Sequence, residues 1–209
     1  MKKIKHLIFD FDGTLVNSKT LFLTLFNELA QKKGYRLMDE LALLELKNLS
    51  FFERAKYLKV PLIHLPFIIP VIYKRYKAHL PQLKLIDGIE TVLATLYKAG
   101  FSMDIVSSNS EENIRLFLEA KGINYFSTIS CSKNVMGKDI LLRKLIKEQG
   151  YRHEEIIYLG DEARDLEASN KVGIQTIWVA WGYDTQTLIE TLRPTYLAHQ
   201  PSDLLAILL

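Results

Sequence analysis

Hydrophobic residues recur along this chain with two different periods, and the change from one to the other divides it. Residues 4–9, Ile-Lys-His-Leu-Ile-Phe, form a short apolar run that predicts a buried strand. From Gly88 onward such runs alternate with stretches of helical spacing. The pattern predicts helices over 89–99, 111–121, 138–149 and 163–171, and strands over 101–106, 128–131, 155–159 and 175–179. Gly100, Gly122 and Gly150 stop the first three helices. Asn109 and Glu112 are spaced to form a capping box on the second, with Asn109 as N-cap. Closing helices are predicted over 185–192 and 202–208. Regular β-α alternation of this kind implies a parallel sheet covered on both faces.

Residues 15–83 break the rhythm. Leu21, Phe22, Leu25, Phe26 and Leu29 mark one face of a helix. Residues 41–46, 51–58 and 68–79 also read as helical, the last against the presence of Pro70. With no strand pattern here, the expected organisation is a core of residues 1–14 and 84–209, interrupted by a helical insertion over 15–83.

A chain of 209 residues accommodates one α/β domain with an insertion of that size, and 48% apolar residues is a globular composition. The single cysteine, Cys131, excludes an intramolecular disulfide and a cysteine zinc cluster, and is expected to be a buried, inert thiol. The five histidines show no paired metal-ligand spacing. The apolar run after Met1-Lys2-Lys3 is too short for a secretory signal. The most apolar segment, 60–73, is broken by Pro61, Pro66 and Pro70 and is too short to span a bilayer. A cytoplasmic protein without a membrane partner is therefore expected.

Candidate chemistry begins where the first strand ends, at Asp10-Phe11-Asp12-Gly13-Thr14. Side chains alternate along an extended backbone, so Asp10 and Asp12 need a break after the strand to face one pocket, and Gly13 permits it. Two close carboxylates repel unless a cation neutralises them. A hard, oxygen-seeking ion such as Mg²⁺ is the natural partner. Thr14 adds a hydroxyl donor.

Three further constellations fall at strand or helix ends. Ser107-Ser108-Asn109 follows an apolar strand, where hydroxyls can bind a phosphoryl oxygen without adding charge; read alone, the run also serves as a helix cap. Gly137-Lys138 opens a helix but is not a P-loop, because Asp139 follows and no glycine lies five residues before Gly137. A lysine at a helix start is disfavoured by the macrodipole, which makes a purely structural Lys138 less comfortable. Gly160-Asp161-Glu162-Ala163-Arg164-Asp165 follows another apolar strand, with Asp165 one helical turn beyond Asp161. Arg164 reads as a solvated helix residue.

Together these four motifs, in this order, resemble those of the haloacid dehalogenase superfamily of aspartate-dependent phosphotransferases. The resemblance extends to Ile177-Trp178-Val179-Ala180-Trp181-Gly182-Tyr183, which is similar to the segment after the fifth strand in phosphoglycolate phosphatase-like members. It implies an α/β fold, a Rossmann-like parallel-sheet core with a small α-helical cap inserted directly after the first motif. It further implies that Asp10 is the nucleophile and Asp12 the general acid and base. Ser107 and Lys138 would be the remaining catalytic groups, and Gly13, Thr14, Ser108 and Asn109 would help to bind phosphate. Mg²⁺ would be held by the Asp10 carboxylate, the Asp12 main-chain carbonyl and Asp161, with Asp165 in support; whether Glu162 or Asp165 joins the metal is left open. An acid two residues after the nucleophile implies a phosphatase or a phosphomutase. The expected function is hydrolysis of a small phosphorylated metabolite through an aspartyl phosphate. The alternatives are a sugar phosphomutase and a non-catalytic phosphate-binding regulatory module.

Charge is unevenly distributed. Residues 15–84 carry twelve Lys or Arg against five Asp or Glu, a net of +7, whereas the whole chain is +3. A cationic insertion over an acidic core would draw in anionic esters, with Lys74, Arg75 and Lys77 one candidate cluster. No basic-aromatic motif points to nucleic acid. A monomer or weak dimer is expected. No glycine occurs between Gly34 and Gly88, and Asn17 replaces an acid often found there, so the insertion departs from the phosphoglycolate phosphatase pattern.

Overall fold

The structure is a computed structural model that describes residues 4–132 and 137–209. Among the described residues six parallel strands form one sheet in the order β3-β2-β1-β4-β5-β6. They are β1 (His6–Phe9), β2 (Ser102–Ser107), β3 (Phe126–Cys131), β4 (Ile156–Gly160), β5 (Gln175–Val179) and β6 (Tyr196–Ala198). β1 is central, with Phe9 in register with Ile105 on one side and Leu159 on the other. Its alternation serves both faces. Leu7 and Phe9 enter the larger core, whereas Ile8 packs with Leu142, Tyr158 and Val172 on the opposite side. The strand order switches direction between β1 and β4, so a crevice opens at the carboxyl ends of these strands.

The five predicted strands form within a residue or two of their expected limits, and β6 is an addition. Three residues are too few to show a period, and β6 exists because Ile177, Trp178 and Val179 supply pairing partners. Around the sheet lie α5 (Ile89–Lys98), α6 (Glu111–Ala120), α7 (Lys138–Gln149), α8 (Ala163–Val172), α9 (Gln186–Glu190) and α10 (Asp203–Leu208). The expected N-cap of α6 is corrected. Ser110 caps it, its Oγ accepting from the Asn113 N–H at 3.2 Å, and this releases Asn109 for another partner.

Between β1 and α5 the inserted helices form a cap: α1 (Lys19–Lys33), α2 (Glu40–Leu46), α3 (Phe51–Tyr57) and α4 (Leu65–Tyr76). Local signals set their starts. The Asp39 carboxylate accepts from Ala42 N–H, and Ser50 with Glu53 forms a capping box. Pro66 lies in the first turn of α4, where its missing N–H would have had no partner. Pro70 removes one bond farther along, yet the helix continues because Ile68, Ile72 and Tyr76 bury one face. The chain leaves and re-enters the core side by side: Asn17 N–H donates to Lys84 O and Ile86 N–H to Leu15 O.

Candidate active site

Asp10 sits one residue past β1, anchored by its N–H to Leu159 O at 2.8 Å, and is 2% exposed. Its Oδ2 lies 2.9 Å from Lys138 Nζ. Its Oδ1 is buried with no hydrogen-bond partner among the described residues. A buried, unpartnered carboxylate oxygen is costly, so it marks a place where a ligand is wanted. Burial pushes the Asp10 carboxyl up to about 7, with Lys138 pulling down and Asp165 adding to the rise.

Asp12 faces the same crevice but has different company. Tyr76 OH donates to Oδ1 at 2.7 Å and Asn109 Nδ2 to Oδ2 at 2.8 Å. Burial raises its carboxyl, and the donors Tyr76, Ser18 and Asn109 pull it back. Gly13 turns the chain directly after the second acid with φ 83°, where a side chain would also strike Asp161 Oδ2 at 2.4 Å. Thr14 Oγ1 donates to Asp161 Oδ1 at 2.7 Å.

Lys138 is 2% exposed and reaches Asp165 Oδ1 at 2.5 Å as well as Asp10. Burial works against its ammonium, but the two carboxylates outweigh it and hold its pKa above the ordinary value. Asp165 also accepts from the Glu162 N–H, and so braces the turn after β4. Asp161 is wholly buried between Gly13 and Gly182, its Oδ2 accepting from the Tyr183 N–H at 2.7 Å. Burial and the charges of Glu162, Asp165 and Asp10 push its carboxyl well above the ordinary range.

The hydroxyl loop is present and buried. Ser107 Oγ accepts from the Asn109 N–H at 3.2 Å, and Ser108 Oγ accepts from Arg164 at 3.4 Å. Arg164 is not solvated, contrary to the sequence reading. It pairs with Glu162, reaches Ser108 and lies over Phe51 of the cap, because the first turn of α8 points into the crevice. Cys131 is half-buried rather than buried, and burial pushes its thiol up to about 12, so it is no nucleophile.

Ligand oxygens of Asp10, Glu162 and Asp165 lie within 4.8 Å of one another. An all-oxygen cluster, with one orphaned Asp10 oxygen and a neighbouring Asp161 driven up by burial and then by like charge, fits a hard divalent cation. The motifs left open whether Glu162 or Asp165 joins the metal. Each already has a cationic partner: Asp165 binds Lys138, while Glu162 binds Arg164 and lies 3.7 Å from Arg54. Among the described residues Asp161 is bonded only by neutral donors, Thr14 Oγ1 and the Tyr183 N–H.

The cap closes on this crevice through contacts that no sequence pattern announced. Besides Tyr76 on Asp12, Asn113 of α6 donates to Tyr73 O at 3.0 Å and Lys77 pairs with Glu112 at 2.5 Å. Arg54 pairs with Asp184, whose other oxygen accepts from the Ala163 N–H at 2.6 Å. Of the basic cluster at the C-terminal end of α4 (Lys74, Arg75 and the following Lys77), Arg75 is tied to Glu28 and Lys77 to Glu112, and none of the three residues lines the cavity beneath the cap. The charged side chains that do line it are Asp12, Lys19, Lys47, Arg54, Glu162 and Arg164. Among the described residues no single helix is long and apolar enough to cross a membrane.

A parallel sheet with a buried aspartate at its switch point, a lysine beside it, an acidic cluster and a helical cap together define a metal-dependent hydrolase of phosphate esters. The chain belongs to the haloacid dehalogenase-like hydrolases, whose family model matches residues 7–179. A phosphoglycolate phosphatase of Synechococcus elongatus is 31% identical over 203 residues, spanning 97% of this chain and 96% of that protein. The pyrophosphatase PpaX of Bacillus mycoides is 25% identical over 216 residues, spanning 99% and 97%. Among solved structures, a haloacid dehalogenase-like family hydrolase from Streptococcus pneumoniae superposes with a TM-score of 0.83 at 22% identity over 100% of both chains, a likeness of fold.

Proposed function

We propose that this protein is a Mg²⁺-dependent phosphomonoesterase acting on a small phosphorylated metabolite, with Asp10 as nucleophile. The observation that carries this reading is the Asp10 side chain itself, with Oδ2 held by Lys138 and Oδ1 buried without a partner among the described residues. Asp10 attacks phosphorus, and the bond to the leaving oxygen breaks as the aspartyl phosphate forms. Asp12 gives its proton to that oxygen, then takes one from the water that hydrolyses the acyl phosphate. Tyr76 and Asn109 aim its carboxyl group. Lys138 and the Ser107 hydroxyl offset charge on the transferring group, and Gly13, Thr14, Ser108 and Asn109 shape the loops around it.

Asp10, the Asp12 main-chain carbonyl and Asp161 would hold the metal, because Asp161, unlike Asp165 and Glu162, has no cationic partner among the described residues. Asp165 and Glu162 are matched by Lys138 and Arg164 and serve to orient the site. When bound, Mg²⁺ supplies charge neutralisation for the phosphoryl oxygens. The cap excludes water while it is closed and admits substrate when open, with movement at 14–18 and 81–88, where the two crossings run together.

Phosphate release from a panel of phosphorylated metabolites and an aryl phosphate, with and without Mg²⁺, tests the reading. Asp10→Asn should abolish turnover. Full activity in that variant, or formation of an isomeric hexose phosphate without release, would overturn it.

A further inference from the structure

The cavity under the cap does not match a small, highly charged ester. It measures about 310 Å³ and runs from Asp12, Glu162 and Arg164 into the interior of the cap. Beyond that mouth its walls are aliphatic and aromatic: Phe26 of α1, Met38 before α2, Leu43 of α2, Leu58 after α3, and Ile69 and Ile72 of α4 are representative. Three charged groups of the cap are on the lining, Lys19, Lys47 and Arg54, and the first two are exposed to solvent. Arg54 is bound to Asp184, to Glu162 and to Leu46 O, and Lys19 lies against the Tyr183 ring near the mouth. A carboxylate or second phosphate placed deep in the chamber would lose its hydration without gaining a partner, which is strongly unfavourable.

Resting on the phosphomonoesterase reading above, we propose that the chamber selects an apolar leaving group, so that the substrate is the phosphate monoester of an aliphatic or aromatic alcohol. The phosphoryl group would lie at Asp10 and Lys138, the ester oxygen at Asp12, and the hydrocarbon between α1, α2 and α4. The volume sets the size. A dry apolar cavity of ~150 Å³ holds one benzene ring. A chamber twice as large therefore takes about twelve carbons, as a fused bicyclic ring or a medium-length chain. The continuity of the chamber with Asp12 is what makes it a leaving-group site rather than a packing defect of the cap. The missing glycine loop of this cap agrees, because residues 35–87 contain no glycine with which main-chain amides could close on a small anion.

The test is a series of n-alkyl phosphates from ethyl to dodecyl, together with 1-naphthyl phosphate and phosphoglycolate, assayed for Mg²⁺-dependent phosphate release. Each buried methylene should raise kcat/KM up to about fourfold until the chamber is full. 1-Naphthyl phosphate should exceed phosphoglycolate by a hundredfold or more, on the order of several methylene equivalents. In Leu43→Trp the ratio of octyl to ethyl kcat/KM should fall at least tenfold, roughly the loss of two buried methylenes. A flat chain-length series, or phosphoglycolate as the best substrate of the panel, would overturn the apolar leaving group while leaving the hydrolase reading intact. No phosphate release from any ester with Mg²⁺ would overturn both. Because the wild-type series stands by itself, a Leu43→Trp protein that fails to fold does not rescue the proposal.

Discussion

Replacing Gly182 with alanine puts one methyl group where the structure has no room. A Cβ built at this position would lie 1.9 Å from Asp161 Cβ and 2.2 Å from both its Cγ and Oδ2, so reaching ordinary contact at 3.4 Å requires a movement of about 1.5 Å. Asp161 cannot retreat. Its two carboxylate oxygens are held by Thr14 Oγ1 and the Tyr183 N–H, and its carbonyl accepts from Trp178 Nε1 at 2.9 Å. The loop must lift instead, taking with it the Tyr183 N–H and the Tyr183–Ser18 contact. Overpacking of a buried site costs about 1–3 kcal/mol. Losing a buried hydrogen bond to a carboxylate costs about 1.5–3 kcal/mol more. A combined loss of about 3–5 kcal/mol should lower Tm by roughly 10 °C in a domain of this size. Because Asp161 would hold the metal and its Oδ2 loses the Tyr183 N–H that fixes it, a reorientation of the carboxylate by about 1 Å should also reduce turnover on the order of a hundredfold and raise the Mg²⁺ concentration needed for half-maximal rate. Thermal melts and Mg²⁺ titrations of phosphate release read both effects. A variant with Tm within about 2 °C and a rate within about twofold of wild type would show that the Gly182–Asp161 contact does not hold the site.

Tyr76→Phe removes one of the donors that steady the Asp12 carboxyl group and leaves the packing of α4 in place; kcat/KM should fall roughly tenfold. Since that hydrogen bond favours the carboxylate, its loss raises the Asp12 pKa further, and the alkaline limb of the kcat/KM profile should move to higher pH; an unmoved limb would separate Tyr76 from proton transfer. Far from the site, hydrogen bonds from Arg152 and Lys5 lower the Glu155 carboxyl to about 2 from 4.5. A lowered carboxyl contributes stability above its unfolded pKa and loses it as pH falls towards the folded one. The Tm gap between wild type and Glu155→Gln should therefore be full at neutral pH and narrow steadily below pH 4.5, whereas a gap independent of pH would mean that the pair acts only through packing.

Short-range patterns in the chain were enough to specify the α/β layout and which residues gather at the carboxyl edge of the sheet. Apolar runs such as 156–160 are buried on both faces of a parallel sheet and so read as strands without their neighbours. Asp10, Asp12, Ser107 and Asp161 each follow such a run, and the carboxyl edge of a parallel sheet gathers whatever follows its strands into one crevice. Lys138 was legible for a related reason, as a cation placed against the dipole at a helix start.

What the tertiary structure decided are the contacts between distant segments. Tyr76 meets Asp12 across 64 positions, Arg54 meets Asp184 across 130, and Tyr183 reaches Asp161 across 22 from the far side of β5. Nothing local distinguishes Tyr76 from any other residue on the buried face of α4. Arg164 reads as solvent-facing because α8 begins with alternating charge, and it is half-buried because Phe51 of the cap lies against it. β6 shows no period of its own and depends on β5 for its pairing. The apolar chamber is likewise a property of the assembly: each cap helix carries an ordinary hydrophobic stripe, and only the way α1, α2, α3 and α4 enclose space makes those stripes the wall of a cavity that ends at Asp12. Periodicity records which side of an element avoids water, whereas the depth of a pocket depends on how far the facing elements stand apart, which no single segment encodes.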